Sequence, residues 1–346
     1  MEAVNFAGND YLGLARDPRV AGAAAEAARE HGVSATSGRF FLGWSGLHRQ
    51  IERDLASFFG AEDACLLTST YLGGLVFFGA MAAHHDTVFC DEHSHPNLVK
   101  GMRAAGLTIH TYRHLDAGDL GAQLQAYAGT PPVIATDGVF GISGEMAPVA
   151  DLAELARSHE AELLIDDAHG VFALGANGRG ACETAGLGPD EVLVLGSMSK
   201  ALGCAGGFFV GRGSVMRELQ PATAGASPLA LPIVGACIEA LRILRTDTGI
   251  RERMWHNAAR MRGVLDENGI AVVSRETPIL AMVLRDEAEA RRLAEHLEAH
   301  GLRVPYAKYP SEPRENLLRS AARACYTDDD LDRFRDALAS FRATPV

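Results

Sequence analysis

The chain has 346 residues, 47% hydrophobic and 22% charged, which is longer than one compact core usually needs and typical of a folded soluble protein. A formal charge of −12 opposes nonspecific attraction to nucleic-acid phosphates and anionic membranes, so neither is an expected partner, and the apolar stretches are too short and interrupted to cross a bilayer. The six cysteines, Cys65, Cys90, Cys182, Cys204, Cys237 and Cys325, show no C-x-x-C spacing and lie mostly among apolar or small neighbours, which favours buried thiols over disulfides or zinc ligands.

The N-terminal stretch MEAVNFAGNDYLGLARDP carries no basic segment followed by an apolar one, so no secretory signal is expected and the cytoplasm is the default location. Residues 46–60, GLHRQIERDLASFFG, place Ile51, Leu55 and Phe58 on one helical face, and VADLAELARSHE (149–160) does the same with Leu152, Leu155 and Ala156. Between about 46 and 211 such segments alternate with seven short apolar runs: ACLLTS, TVFCD, LTIHTY, PVIATDGVF, ELLIDDAH, EVLVLGS and GGFFVG. Most are continuously apolar, as strands covered on both faces are, so the fold class is α/β with a large, mainly parallel seven-stranded sheet and crossover helices. Beyond about residue 230, amphipathic helices (GACIEALRIL, RERMWHNAARMRGVLDENG, EAEARRLAEHLEAHG) are separated by the strand candidates PILAMVLRD and NLLRSAARACY. The expected organisation is an N-terminal segment (1–30) packing with a small C-terminal α+β domain (236–346), and a large domain (31–235) between them.

Three of the apolar runs end in reactive side chains. EVLVLGSMSKALGCAGG breaks at Gly196 and sets Lys200 one short turn beyond the strand, at the carboxyl edge where open α/β sheets bind ligands. ELLIDDAHG ends in Asp166, Asp167 and His169, and TVFCDEHSHPN in Asp91, His93 and His95. Taken singly, each has a plain reading: a surface lysine, a capping aspartate beside a satisfied histidine, a polar turn. His93 and His95, with Asp91 and either Asp166 or His169, would also suit a metal-dependent hydrolase. GANGRG (175–180) shares only its glycines with a dinucleotide loop, because it does not join a strand directly to a helix. Ser45 and Ser69 lack the G-x-S-x-G setting of a nucleophile. One cofactor, pyridoxal 5′-phosphate, uses all three ends together: its aldehyde needs a lysine, its pyridinium nitrogen a carboxylate, its ring a flat partner. Lys200, Asp166 and His95 supply them without a metal. LTSTYLGGL offers Ser69, Thr70 and Tyr71 before a helix start, where a phosphate binds well; simple capping is the plain alternative.

These segments, in the same order, resemble the α-oxoamine synthases, a family with the aspartate aminotransferase-like fold (fold type I). The resemblance runs nearly end to end, from NFAGNDYLGLARDP through SGRFFLGWSGLHRQIERDLASFFGAEDACLL, DEHSHPNLVKG, TDGVFGISGEMAPVADL and IDDAHGVFALGANGRG to SMSKALGCAGG. It implies that Lys200 forms the Schiff base, Asp166 contacts the pyridine nitrogen, His95 stacks on the ring, His169 lies near the phenolic oxygen and Ser197 helps to bind the phosphate. Arg319, in ENLLRSAARACYT, and Asn9 match the positions that bind the amino-acid carboxylate. Ser227, in ATAGASPLALP, aligns with a phosphate ligand supplied across a dimer interface, which implies a homodimer with shared sites. The chain departs from the family pattern at Thr70 (commonly glycine), Gly74 (asparagine), Gly141 (serine) and Tyr326 (histidine). The function implied is condensation of an amino acid with an acyl thioester, on coenzyme A or a carrier protein, usually with decarboxylation. The alternative keeps the cofactor without the thioester: an aminotransferase, racemase or aldol-type lyase.

Overall fold

Four five-residue runs, Thr87–Asp91, Val133–Asp137, Leu193–Ser197 and Gly207–Gly211, are buried at every position, and strands covered on both faces belong inside a layered α/β sheet. The computed structural model, which describes residues 3–343, contains that sheet. In chain order the elements are β1 (Val4–Asn5), α1 (Pro18–His31), α2 (Gly46–Phe59), β2 (Asp63–Leu67), α3 (Gly73–Met81), β3 (Thr87–Asp91), α4 (Pro96–Ala104), β4 (Thr108–Tyr112), α5 (Ala117–Ala126), β5 (Val133–Asp137), α6 (Val149–Ser158) and β6 (Glu162–Asp166). There follow α7 (Ala181–Thr184), β7 (Leu193–Ser197), β8 (Gly207–Gly211), α8 (Gly213–Ala222), α9 (Leu231–Thr246), α10 (Gly249–Glu267), β9 (Ala271–Val272), β10 (Ile279–Val283), α11 (Glu287–Ala299), β11 (Leu302–Arg303), β12 (Leu317–Ala321) and α12 (Asp328–Ala343).

Strands β2 to β8 form one seven-stranded sheet in the order β2-β8-β7-β6-β5-β3-β4. The pairs β3/β4, β3/β5, β5/β6 and β6/β7 are parallel, and β8 runs antiparallel to β7 and β2. The expected α/β class and mainly parallel sheet are therefore present, with one strand reversed. Alternate side chains serve opposite faces. Ile134, Leu163, Val194 and Phe208 meet α2, α6 and α9, whereas Val133, Leu164, Leu195 and Phe209 meet α3, α4 and α8, as the two-residue period of a strand dictates. On α2 the buried stripe is Ile51, Leu55 and Phe59, one residue on from the expected Phe58. Ser45 caps that helix, its hydroxyl accepting the His48 N–H at 3.4 Å.

A second apolar cluster is built by α10, α11 and α12 against β10 and β12, and Phe6 sits in it, stacked 4.4 Å from Tyr326. β1 adds to β11 in parallel, with Val4 opposite Leu302. α1 instead packs on α9, where a Cβ on Gly235 would lie 2.6 Å from that of Ala27. Residues 235 and 236 lie inside the unbroken α9, whose Val234, Ala236 and Cys237 belong to the sheet's core. All six cysteines are free, and Cys325, in the turn after β12, is exposed. Among the described residues no helix is long and apolar enough to cross a membrane.

Candidate active site

Parallel strands end at one edge, and their last residues meet there. Asp137 closes β5, Asp166 closes β6 and Ser197 closes β7, with Asp137 opposite Asp166 in the register. Two cavities of about 310 Å3 each adjoin at this edge. Asp166, Ser197, Ser69, Thr70 and Tyr71 line the first; Arg319, Asn9, Gly141, Ser311 and Tyr309 line the second. Lys200, His95, His169 and Asp137 line both. The fold thus gathers the expected residues around Lys200, except Ser227, which is exposed on the loop after α8.

Burial sets the electrostatics of the first cavity. It lowers the Lys200 ammonium to a pKa of about 8, winning over the pull of Asp166 and Asp137. Burial likewise raises the Asp166 carboxyl, against Lys200 and Asn97. Asp166 accepts hydrogen bonds from Asn97 Nδ2 and from the Ala168 N–H, each at 3.2 Å. Asp137 is raised further, by burial and then by Asp166, while its Oδ2 accepts the His95 N–H at 2.7 Å. Asp167, the next residue along, points to the other side and accepts the Ala181 N–H at 2.7 Å; strand parity separates the two aspartates.

The second cavity is organised by Arg319. Its guanidinium donates to Gly141 O (2.7 Å), Ala7 O (2.7 Å), Asn9 Oδ1 (2.6 Å) and Tyr11 Oη (3.3 Å). Tyr11 keeps its proton, since burial pushes its pKa up to about 12, and it donates to His169 Nδ1 at 2.7 Å. Burial, then Lys200 and Arg319, hold His169 well below the usual histidine range. The neutral ring therefore carries its proton on Nε2, the nitrogen beside Gly141. A Cβ at Gly141 would come within 2.4 Å of that nitrogen, so the imidazole fills the space a serine would need.

The other departures also have local causes. The Thr70 hydroxyl donates to Gly196 O at 3.3 Å and lies 3.4 Å from Gly206 O, tying the ends of β7 and β8 together. A Cβ at Gly74 would lie 2.5 Å from Asn97 O, because α3 and α4 cross there in near contact. Tyr326 is buried, and its hydroxyl donates to Asn5 O at 2.8 Å. GANGRG is a structural loop: the Glu183 carboxylate accepts from the Asn177 and Arg179 N–H groups, each at 3.0 Å. The metal reading of His93 and His95 finds no ligand set among the described residues. His93 lies against His114 with ring centroids 4.0 Å apart, and both ring nitrogens of His95 are engaged by Asn97 and Tyr309. Ser69 accepts the Tyr71 N–H at 3.3 Å, and Ser197 Oγ lies 2.8 Å from Ser199 Oγ. Sequence reasoning missed Asn97, Asp137, Tyr11 and Tyr309. Asp137 carried the same signal as Asp166, an acid at the end of an apolar run.

The sequence model of the aminotransferase class I and II family matches residues 2–338. The chain belongs to that family. It is 37% identical to an 8-amino-7-oxononanoate synthase of Chromohalobacter salexigens, over 97% of this chain and 89% of that protein. A second such synthase, from Alkalilimnicola ehrlichii, is 36% identical over 97% and 87% of the two chains. A serine palmitoyltransferase of Sphingomonas wittichii superposes with a TM-score of 0.93 at 27% identity, covering 98% of this chain and 87% of its own. Within the family the chain groups with the α-oxoamine synthases, pyridoxal phosphate-dependent transferases that condense an amino acid with an acyl thioester. The first cavity fits that cofactor, with a buried carboxylate, an amine of lowered pKa and the hydroxyls of Ser69, Ser197 and Ser199 around one space.

Proposed function

We propose that this α-oxoamine synthase joins the Cα of a small amino acid to the acyl carbon of a thioester, releasing the thiol and carbon dioxide and leaving an α-amino ketone. The observation that carries the proposal is the pair of cavities meeting at Lys200, one lined by Asp166 and several hydroxyls, the other by Arg319 and Asn9. The name 8-amino-7-oxononanoate itself describes an amine next to a ketone, and relatives so named support this product class. Pyridoxal phosphate, when bound, supplies an electron sink for the pair left on Cα. Asp166 would hold the proton on the pyridine nitrogen, and the cation so kept offsets the cost of burying the carboxylate. His95 would cover the ring, the His169 Nε2–H would donate to the phenolic oxygen, and Ser69, Thr70, Tyr71 and Ser197 would surround the phosphate. Arg319 and Asn9 would hold the substrate carboxylate, which sets the bond that breaks. Lys200 would bind the cofactor covalently and, once displaced, carry the Cα proton, a task suited to an amine of pKa about 8.

A homodimer with shared sites belongs to the same proposal. Phe40, Phe41 and Leu42 are 56%, 80% and 96% exposed, and a Cβ on neighbouring Gly38 would lie 3.9 Å from Gly225 N, in the loop that carries Ser227. An apolar patch beside that serine suits a covered interface. The test of function is thiol release by the holoenzyme with a panel of small amino acids and acyl thioesters. Release that needs both substrates is expected. Amino-acid turnover that ignores the thioester would return the enzyme to the aminotransferase, racemase or lyase reading.

A further inference from the structure

Tyr309 lies on the loop 304–316 between β11 and β12, and its hydroxyl meets His95 Nε2 at 2.6 Å. The opposite edge of the ring is engaged too, with His95 Nδ1 2.7 Å from Asn97 Oδ1. Asn97 decides which atom carries the proton. Its amide nitrogen faces Asp166 Oδ2 at 3.2 Å and Thr70 O at 3.5 Å, and its oxygen accepts the Leu98 N–H at 2.7 Å. Flipping the amide would set acceptor against acceptor and donor against donor. An amide oxygen 2.7 Å from Nδ1 needs a proton between them, so Nδ1–H is the donor. The Asn97 backbone N–H is also directed at Nδ1, at 3.2 Å, a contact in which Nδ1 would accept; it is the weaker of the two, because the amide oxygen lies nearer, at 2.7 Å. Nε2 of the neutral ring then presents only a lone pair, and Tyr309 donates into it. Burial raises the Tyr309 phenol, which keeps its proton on the oxygen.

We propose that Tyr309 is the positioning residue for His95, locking the imidazole by both edges in the Nδ1-protonated tautomer so that its faces stay free for the cofactor ring. The proposal rests on the reading of His95 as the ring's stacking partner. The relay Asp166–Asn97–His95–Tyr309 runs from the sheet edge to a loop that lines the second cavity, so the placement of that loop bears directly on the cofactor pocket.

The test uses holoenzyme with 15N-labelled histidine, the His95 signals being assigned by their loss in His95→Asn. Wild type should show one His95 tautomer, protonated on Nδ1. In Tyr309→Phe the Nε2 resonance should shift to that of a nitrogen without its donor, and kcat should fall about tenfold, as for one lost hydrogen bond, with the amino-acid KM within about twofold. An unchanged His95 spectrum in Tyr309→Phe overturns the proposal, as does a wild-type ring protonated on Nε2; the second result stands even if the variant fails to fold. Cofactor affinity and absorbance in His95→Ala test the underlying reading separately. Native values there would remove His95 from the cofactor while leaving the tautomer result intact.

Discussion

Replacing Gly141 with serine restores the residue common in the family, and the geometry predicts that this chain will not tolerate it. A Cβ there would lie 2.4, 2.9 and 3.1 Å from His169 Nε2, Cδ2 and Cε1, against a carbon contact distance of about 3.5 Å. The ring must retreat by roughly 1 Å, which breaks its 2.7 Å bond to Tyr11. Overpacking of this kind costs about 1–3 kcal/mol and the lost hydrogen bond about 1 kcal/mol more. The sum of roughly 2–4 kcal/mol should lower the melting temperature of the cofactor-free protein by several degrees. The assay is thermal unfolding of four proteins: wild type, Gly141→Ser, His169→Ala and the double variant. If the clash is the cause, the serine should cost little once the imidazole is gone, giving a coupling energy of about 2–4 kcal/mol. A serine that is neutral in the wild-type background, or equally costly in both, refutes the reasoning.

Asp166→Asn should still bind pyridoxal phosphate but lose roughly a hundredfold or more in kcat, because an amide cannot sustain the pyridinium charge; near-normal turnover would pass that role to another group. For Arg319→Ala the amino-acid KM should rise about tenfold or more, as for lost charge-assisted hydrogen bonds, and an unchanged dependence on amino-acid concentration would count against the assignment. Cofactor loading onto the apoprotein needs neutral Lys200, and burial lowers that group from 10.5 to about 8. The loading rate should therefore climb with pH and level off above about 8; a climb continuing toward 10.5 would show an exposed lysine. Mixing Lys200→Ala chains with Ser227→Ala chains should give activity above either parent, since one site of the mixed dimer regains both residues, provided Ser227→Ala is itself impaired. An active, cofactor-bound monomer at assay concentration would end the shared-site reading.

Much of this was readable in the chain because it is encoded locally. Seven short runs gave seven strands of one sheet, and those buried at every residue, such as β3 and β5, are covered on both faces, while the edge strand β4 is largely exposed. A parallel sheet then brings strand ends to one edge, so Lys200, Asp166 and the turn carrying His95 had to converge. The exact helical stripe was less legible: Phe58 and Phe59 are equally apolar, and tertiary packing chooses Phe59, which is buried against Phe172 and Phe208, over the half-buried Phe58.

What the sequence by itself determined is the architecture and the identity of the strand-end groups, because both follow from apolar periodicity along short segments. Tertiary structure alone decided which atom meets which. The pairing of β6 with β5 turns Asp166 toward the cavity and Asp167 away. The close approach of His169 explains Gly141, and the approach of α4 explains Gly74. Tyr309 reaches His95 across 214 positions of sequence. No local pattern encodes such a contact, because it depends on how a loop from one end of the chain comes to rest against a sheet edge built near the other.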